Sequence, residues 1–163
     1  MKKTLQVMIM VLSATAFGGT VNINLANSTL AGGAGSVLTF SGTLVNTTST
    51  VAFLNGANLS GLVAGFSGST VPFFQNAPLS LAANQTSAMI ALFSVTIPSV
   101  IATGPYSGTF SIFGGPGAND QALLSSAVFT VQAVPEPGTL GLVLTAAAAL
   151  AFARRRKNIR ILN

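Results

Sequence analysis

The sequence predicts an all-β body, an antiparallel β-sandwich, carried between two ends that belong to no core. Three observations lead there. Apolar residues alternate with Ser and Thr in run after run, the period of a strand with one buried face. Gly, Pro and Asn interrupt these runs at short intervals, as turns require. Almost all charge is confined to the ends: Lys2 and Lys3 open the chain, Arg154, Arg155, Arg156, Lys157 and Arg160 close it, and only Asp120 and Glu136 are ionised between them.

The N-terminus has the three parts of a secretory signal peptide, residues 1–16. Lys2 and Lys3 form the positive region, and residues 5–17 are mostly apolar. Ala14-Thr15-Ala16 supplies the small-x-small cleavage pattern, so the expected cut follows Ala16, with sites one to three residues later also open. The alternative is an uncleaved membrane anchor, for which the apolar run is short.

The body, residues 17–133, has about 115 residues and suits one domain. Residues 37–45 place Leu38, Phe40 and Leu44 on one face and Thr39, Ser41 and Thr43 on the other. Residues 51–54 form a shorter run ahead of an expected turn at Asn55-Gly56. Val71-Pro72-Phe73-Phe74 is a compact aromatic patch in an expected loop. Residues 88–97 set Phe93, Val95 and Ile97 against Ser94 and Thr96. Residues 106–113 set Tyr106, Phe110 and Ile112 against Ser107, Thr109 and Ser111. Residues 127–131 set Ala127, Phe129 and Val131 against Val128 and Thr130. No window of the body has a helical period.

Two of these stretches, Phe40-Ser41-Gly42-Thr43-Leu44-Val45-Asn46-Thr47-Thr48 and Gly104-Pro105-Tyr106-Ser107-Gly108-Thr109-Phe110, resemble strands of bacterial immunoglobulin-like modules. The resemblance implies a single immunoglobulin-like antiparallel β-sandwich. Tyr106 stands where such folds keep a corner tyrosine bonded back to the main chain. Core packing accounts for it equally well.

Residues 134–157 form a different unit. Val134-Pro135-Glu136-Pro137 precedes an apolar run over 140–152, which ends at Arg154-Arg155-Arg156-Lys157. As a transmembrane helix, residues 139–153 would cover about 22 Å at 1.5 Å per residue, short of the ~30 Å hydrocarbon core. Snorkelling of Arg154, Arg155 and Arg156, the membrane stop, narrows that gap. The basic cluster stays cytoplasmic, which puts everything before Pro135 outside. A soluble helix with a basic tip is the alternative. Pro135 and Pro137 lack N–H groups and disfavour helix in the residue before each, so the motif should be extended and exposed.

Proline-glutamate-proline, then an apolar helix, then arginines, resembles the PEP-CTERM sorting signal of bacterial envelope proteins. The resemblance implies recognition of Pro135, Glu136 and Pro137 by exosortase, a membrane protease-transpeptidase. It implies a membrane-anchored precursor that passes to the cell surface or to a biofilm matrix of exopolysaccharide. Residues 158–163, a short cytoplasmic tail, extend beyond the arginines where members of that family usually stop.

The composition narrows the chemistry. With no Cys and no His, disulfides, Cys/His zinc sites and His-based acid–base catalysis drop out. Asp120 is the single carboxylate of the body, so a paired-carboxylate hydrolase is excluded. Gly117-Ala118-Asn119-Asp120 reads as a hairpin turn sooner than a calcium loop. The high isoelectric point comes from the ends and gives no basic face for nucleic acid. The expectation is a non-enzyme without cofactor or metal: a structural or interaction protein of the cell surface, or a carbohydrate-binding module for exopolysaccharide. In the second case Phe73 and Phe74 would be the ligand contacts; core packing is their other reading. Asn-x-Ser/Thr sequons stand at Asn27, Asn46, Asn58 and Asn84.

Overall fold

A computed structural model of the chain describes residues 20–135 together with Gly138, Gly141, Thr145 and Ala146. The expected signal peptide, Glu136, Pro137, the stop at Arg154, Arg155 and Arg156, and the tail 158–163 lie outside the described residues. So does most of the apolar run 139–153, although Gly138, Gly141, Thr145 and Ala146 are helical. No helix among the described residues is long and apolar enough to cross a membrane.

Within the described residues 20–135, nine strands and one short helix follow in the order β1 (Val21–Leu25), β2 (Thr29–Gly32), β3 (Val37–Asn46), β4 (Ala52–Ser60), β5 (Ser67–Ser69), α1 (Val71–Asn76), β6 (Ser80–Leu81), β7 (Ile90–Thr96), β8 (Gly104–Gly115) and β9 (Ala122–Ala133). They form two sheets, ordered β1-β3-β7-β5 and β2-β9-β8-β4-β6. Every pairing between strands is antiparallel except that of β2 with β9, which is parallel. The exception arises because the chain crosses between sheets at residues 26–28. Ala26 N–H donates to Ser41 O in the first sheet at 2.9 Å, and Ser28 O accepts from Thr130 N in the second at 2.7 Å. β2 thus keeps the direction of β1 but takes a new neighbour.

The predicted alternation is what closes the sandwich. Phe40, Leu44, Phe93, Val95, Phe110, Ile112, Phe129 and Val131 are all buried, whereas Thr39, Thr43, Ser94, Thr109 and Ser111 turn outward. Phe93 is the hub of the contact between sheets. Its ring lies 4.7 Å from each of Phe40, Phe110 and Phe129, centroid to centroid. Packing at that range adds roughly 0.5–1.5 kcal/mol per pair to the burial of the rings themselves. The ring of Phe129 also lies over Gly108, where a Cβ would come within 2.5 Å of its edge. That contact explains the glycine in Tyr106-Ser107-Gly108-Thr109-Phe110.

Two local expectations are corrected, and one bulge interrupts an alternation that otherwise holds. Asn55-Gly56 is no turn: β4 runs through it for nine residues, and Asn55 is the extra residue of a β-bulge, since Leu54 pairs Gly114 while Gly56 pairs Phe113. A two-residue type I′ turn needs positive φ at both positions, and neither has it; the positive φ values fall at Gly61 and Gly65, after the strand. A second bulge in β7 makes Leu92 the extra residue, so Leu92 and Phe93 are buried side by side against the simple alternation. Finally, the expected loop at Val71-Pro72-Phe73-Phe74 is the start of the six-residue α1, with Pro72 in its first turn. Proline suits that position because the first-turn N–H has no partner to lose. A helix this short shows no period in the sequence.

Candidate sorting signal and interaction faces

β8 and β9 pair from Gly114↔Ala122 to Gly104↔Ala133, so β9 delivers the chain straight from one end of the sandwich to the other. Ladder bonding ends with Val134 N–H donating to Gly32 O at 3.0 Å. Pro135 has no N–H to continue it, and Val134 and Pro135 are both exposed. Of the three motif residues, Pro135 is therefore placed at the point where the fold releases the chain. Glu136 and Pro137 lie outside the described residues.

Phe73 and Phe74 part company. Adjacent side chains on a helix point about 100° apart. Phe73 is buried, 6.0 Å from the ring of Phe110, and so packs in the core; Phe74 meets Phe73 edge-on and keeps 59% of its surface exposed. As a ligand contact the pair reduces to Phe74.

The outward face of the β4-β8-β9 sheet is a strip of neutral hydroxyls and amides. Asn58 lies beside Ser111 and Ser60 beside Thr109. Ser111 and Ser126 hydroxyls bond each other at 2.8 Å, and Ser107 and Thr130 sit at 3.4 Å. No charged group interrupts the strip, and Val128 stands exposed among the hydroxyls.

Asp120 is spent on a turn. Its Oδ2 accepts from Gly117 N at 2.8 Å, and its own N–H donates to Gly117 O at 3.2 Å. Asn55 Nδ2 donates to the carbonyls of both residues, at 3.1 and 2.8 Å, fastening the β4 bulge to the β8–β9 hairpin. The corner reading of Tyr106 also has its bond: the hydroxyl donates to Ala102 O, four residues upstream, at 2.8 Å. The ring packs 4.9 Å from that of Phe66.

Asn46 is the residue whose role sequence reasoning missed. It carries a sequon, yet it is fully buried, so no modifying enzyme can reach its amide in the folded protein. Its Nδ2 donates to Thr50 O, Leu81 O and Ala82 O, and its Oδ1 accepts from Thr48 N and Thr48 Oγ1. The signal was there in Asn-Thr-Thr at the end of a strongly patterned strand, where a buried Asn must satisfy its amide on the following turn. Asn27, Asn58 and Asn84 are exposed.

Residues 133–157 match the PEP-CTERM protein-sorting motif. The match begins at the last residue of β9 and marks the chain as an exported protein sorted to the cell envelope by exosortase. No curated protein matches the sequence. Among solved structures, the chain is similar to the VesB protease of Vibrio cholerae at 14% identity and a TM-score of 0.43, covering 69% of this chain and 32% of that one. It is similar to WR4, a Caenorhabditis elegans MSP family member, at 10% identity and a TM-score of 0.38, covering 69% and 97%. A family 123 glycoside hydrolase from Clostridium perfringens follows at 11% identity and a TM-score of 0.39, covering 72% and 27%. The chain thus spans about a third of the VesB protease chain.

Proposed function

We propose that this chain is a structural or interaction protein of the bacterial cell surface or extracellular matrix. It is exported by its signal peptide, held as a precursor by the apolar helix over 139–153, and then sorted through Pro135, Glu136 and Pro137. The observation that carries this reading is the handover at Ala133, where the last strand ends and the sorting motif begins. The body is an immunoglobulin-like sandwich. In its favour are the parallel β2–β9 pairing beside the antiparallel ladders, and the corner bond from Tyr106 to Ala102 O. It acts by contact and turns over no substrate, since the one carboxylate of the body is committed to a turn.

The test is the double variant Pro135→Ala, Glu136→Ala in a host that sorts the parent chain. It leaves the apolar run intact and removes the extended acidic shape. The expected result is a precursor that accumulates in the membrane. Release as efficient as that of the parent would mean that recognition does not run through the motif.

A second reading, a non-catalytic carbohydrate-binding module for exopolysaccharide, is favoured by the exposed ring of Phe74 and the neutral hydroxyl strip. Sugars stack on aromatic faces and hydrogen-bond to hydroxyls. Retention on matrix polysaccharide that is lost in Phe74→Ala would establish it; equal retention of the variant would remove the ring from the account.

A further inference from the structure

The end of the sandwich that faces the sorting signal carries its own apolar tip. The loops over 33–36, 61–66 and 97–103 all lie at the end where β9 finishes. Gly35 N–H bonds Ile97 O, Ile97 N–H bonds Ser36 O, and Val134 N–H bonds Gly32 O. A Cβ on Gly65 would touch Pro98. Four valines stand exposed around this tip: Val37 at 62%, Val63 at 51%, Val100 at 90% and Val134 at 37%. Among the described residues no charged side chain lies at this tip, since Asp120 sits in the β8–β9 hairpin at the opposite end; Glu136 follows Pro135 in the sequence, outside the described residues.

The tip is braced. Tyr106 fixes the loop that presents Val100 through its hydroxyl bond to Ala102 O, and fixes the loop that presents Val63 through its ring contact with Phe66. One side chain thus holds both valine-bearing loops. An exposed valine on a loop held in place loses little entropy when it is buried against something else.

The tether says what that something is. In the sequence the apolar run starts at Leu140, five residues after Pro135. Even fully extended, five residues span no more than about 18 Å, so the start of that run stays close to this end of the sandwich. The headgroup region on one side of a bilayer is itself roughly 6 Å deep. We propose that, in the membrane-held precursor, the valine tip rests on the outer face of the lipid bilayer and buries Val63 and Val100 in its interface. The inference rests on the reading of 139–153 as a membrane helix. It adds that the body stands upright on the lipid by contact, with the Asp120 hairpin outward, instead of swinging on a linker. An apolar tip whose own loops carry no charge suits the boundary between headgroups and acyl chains.

The chain has no cysteine, so single-cysteine variants report positions cleanly. Full-length chains bearing Val63→Cys, Val100→Cys or Asn119→Cys are labelled with a polarity-sensitive fluorophore and reconstituted in phosphatidylethanolamine–phosphatidylglycerol vesicles with brominated acyl chains. Vesicle flotation is scored in the same samples. The expected result is flotation of all three, with quenching at Val63 and Val100 at least twofold above that at Asn119 in the distal hairpin. Flotation with equal quenching at the three positions overturns the proposal and leaves the membrane helix standing. Failure to float overturns both. Protection of Val100 only when the sorting protease is added would assign the tip to a protein surface, against the proposal.

Discussion

Asn46→Ala should be the most damaging polar substitution in the body. The amide links the 46–50 turn, through Thr48 and Thr50, to the 81–82 segment, through Leu81 O at 3.1 Å and Ala82 O at 2.9 Å. Truncation leaves the buried carbonyl of Leu81 without that donor, a loss of about 1–3 kcal/mol. The half-buried Thr48 and the exposed Thr50 can recover water, so their share is smaller, about 0.5 kcal/mol each. The total comes to about 3 kcal/mol. For a domain of this size that corresponds to a fall of roughly 12 °C in melting midpoint. Thermal unfolding of the processed protein, followed by circular dichroism, measures it directly. A fall of less than about 3 °C would refute the idea that this amide staples the two turns, because solvent would then be replacing every lost bond. Asn46→Asp provides a sharper version with nearly the same shape. An oxygen replaces the donor that faces three carbonyls, so the buried acid is held protonated and its folded-state pKa lies above the unfolded ~3.9. By linkage, the variant keeps its stability below about pH 4 and loses it as pH rises through the folded value.

Two further substitutions test the core. Phe93→Ala removes the ring that Phe40, Phe110 and Phe129 share and should cost about 3–5 kcal/mol in urea unfolding, with an unchanged denaturant slope. Gly108→Ala adds a methyl group within 2.5 Å of the Phe129 ring and should cost about 1–3 kcal/mol by overpacking, with the Phe129→Leu background relieving most of it.

The legible part of the fold was the part governed by period two. Strands β3, β7, β8 and β9 lie where alternation placed them, because one face of each must be buried and a one-residue slip would turn every Phe outward. What escaped was decided by contacts distant in sequence. Asn55-Gly56 has the composition of a hairpin turn, but Asn55 Nδ2 is taken by carbonyls of Gly117 and Asp120, more than sixty residues away, which favours the bulge. α1 escaped because six residues are too few for a helical period, and because Phe73 and Phe74 look alike in sequence while only Phe73 reaches the core. The switch of β2 into the other sheet left no local trace, since its pattern, Thr29 and Ala31 exposed and Leu30 less so, serves either sheet. At the candidate site, the motif that residues 133–157 match could be read directly, because it is a linear sequence and not a constellation assembled by folding.

That contrast bears on how the two halves of the chain can depend on each other. A sorting signal read as a linear motif works behind any body, provided the body releases the chain cleanly. Here the release is sharp: the ladder runs to Val134 and stops at a residue that cannot donate. β8 and β9 are each twelve residues long, so at about 3.3 Å per residue they reach roughly 40 Å from the signal to the Asp120 hairpin. The longest ladder of the fold is therefore the one that joins the motif to the far tip. If β9 were loosened at its end, residues 130–134 would leave the parallel edge held by β2, lengthening the tether and, in the orientation proposed above, freeing the valine tip from the membrane. Val134→Pro removes the N–H that bonds Gly32 O, the last such bond before the motif. It should leave the core intact, since no buried side chain changes, and lower the melting midpoint by only a few degrees, about 1 kcal/mol. In the vesicle assay it should nevertheless bring the quenching at Val100 down toward the level at Asn119. A variant that keeps full quenching at Val100 would show that the tip holds the lipid without help from the tether, and the link between ladder and orientation would fall.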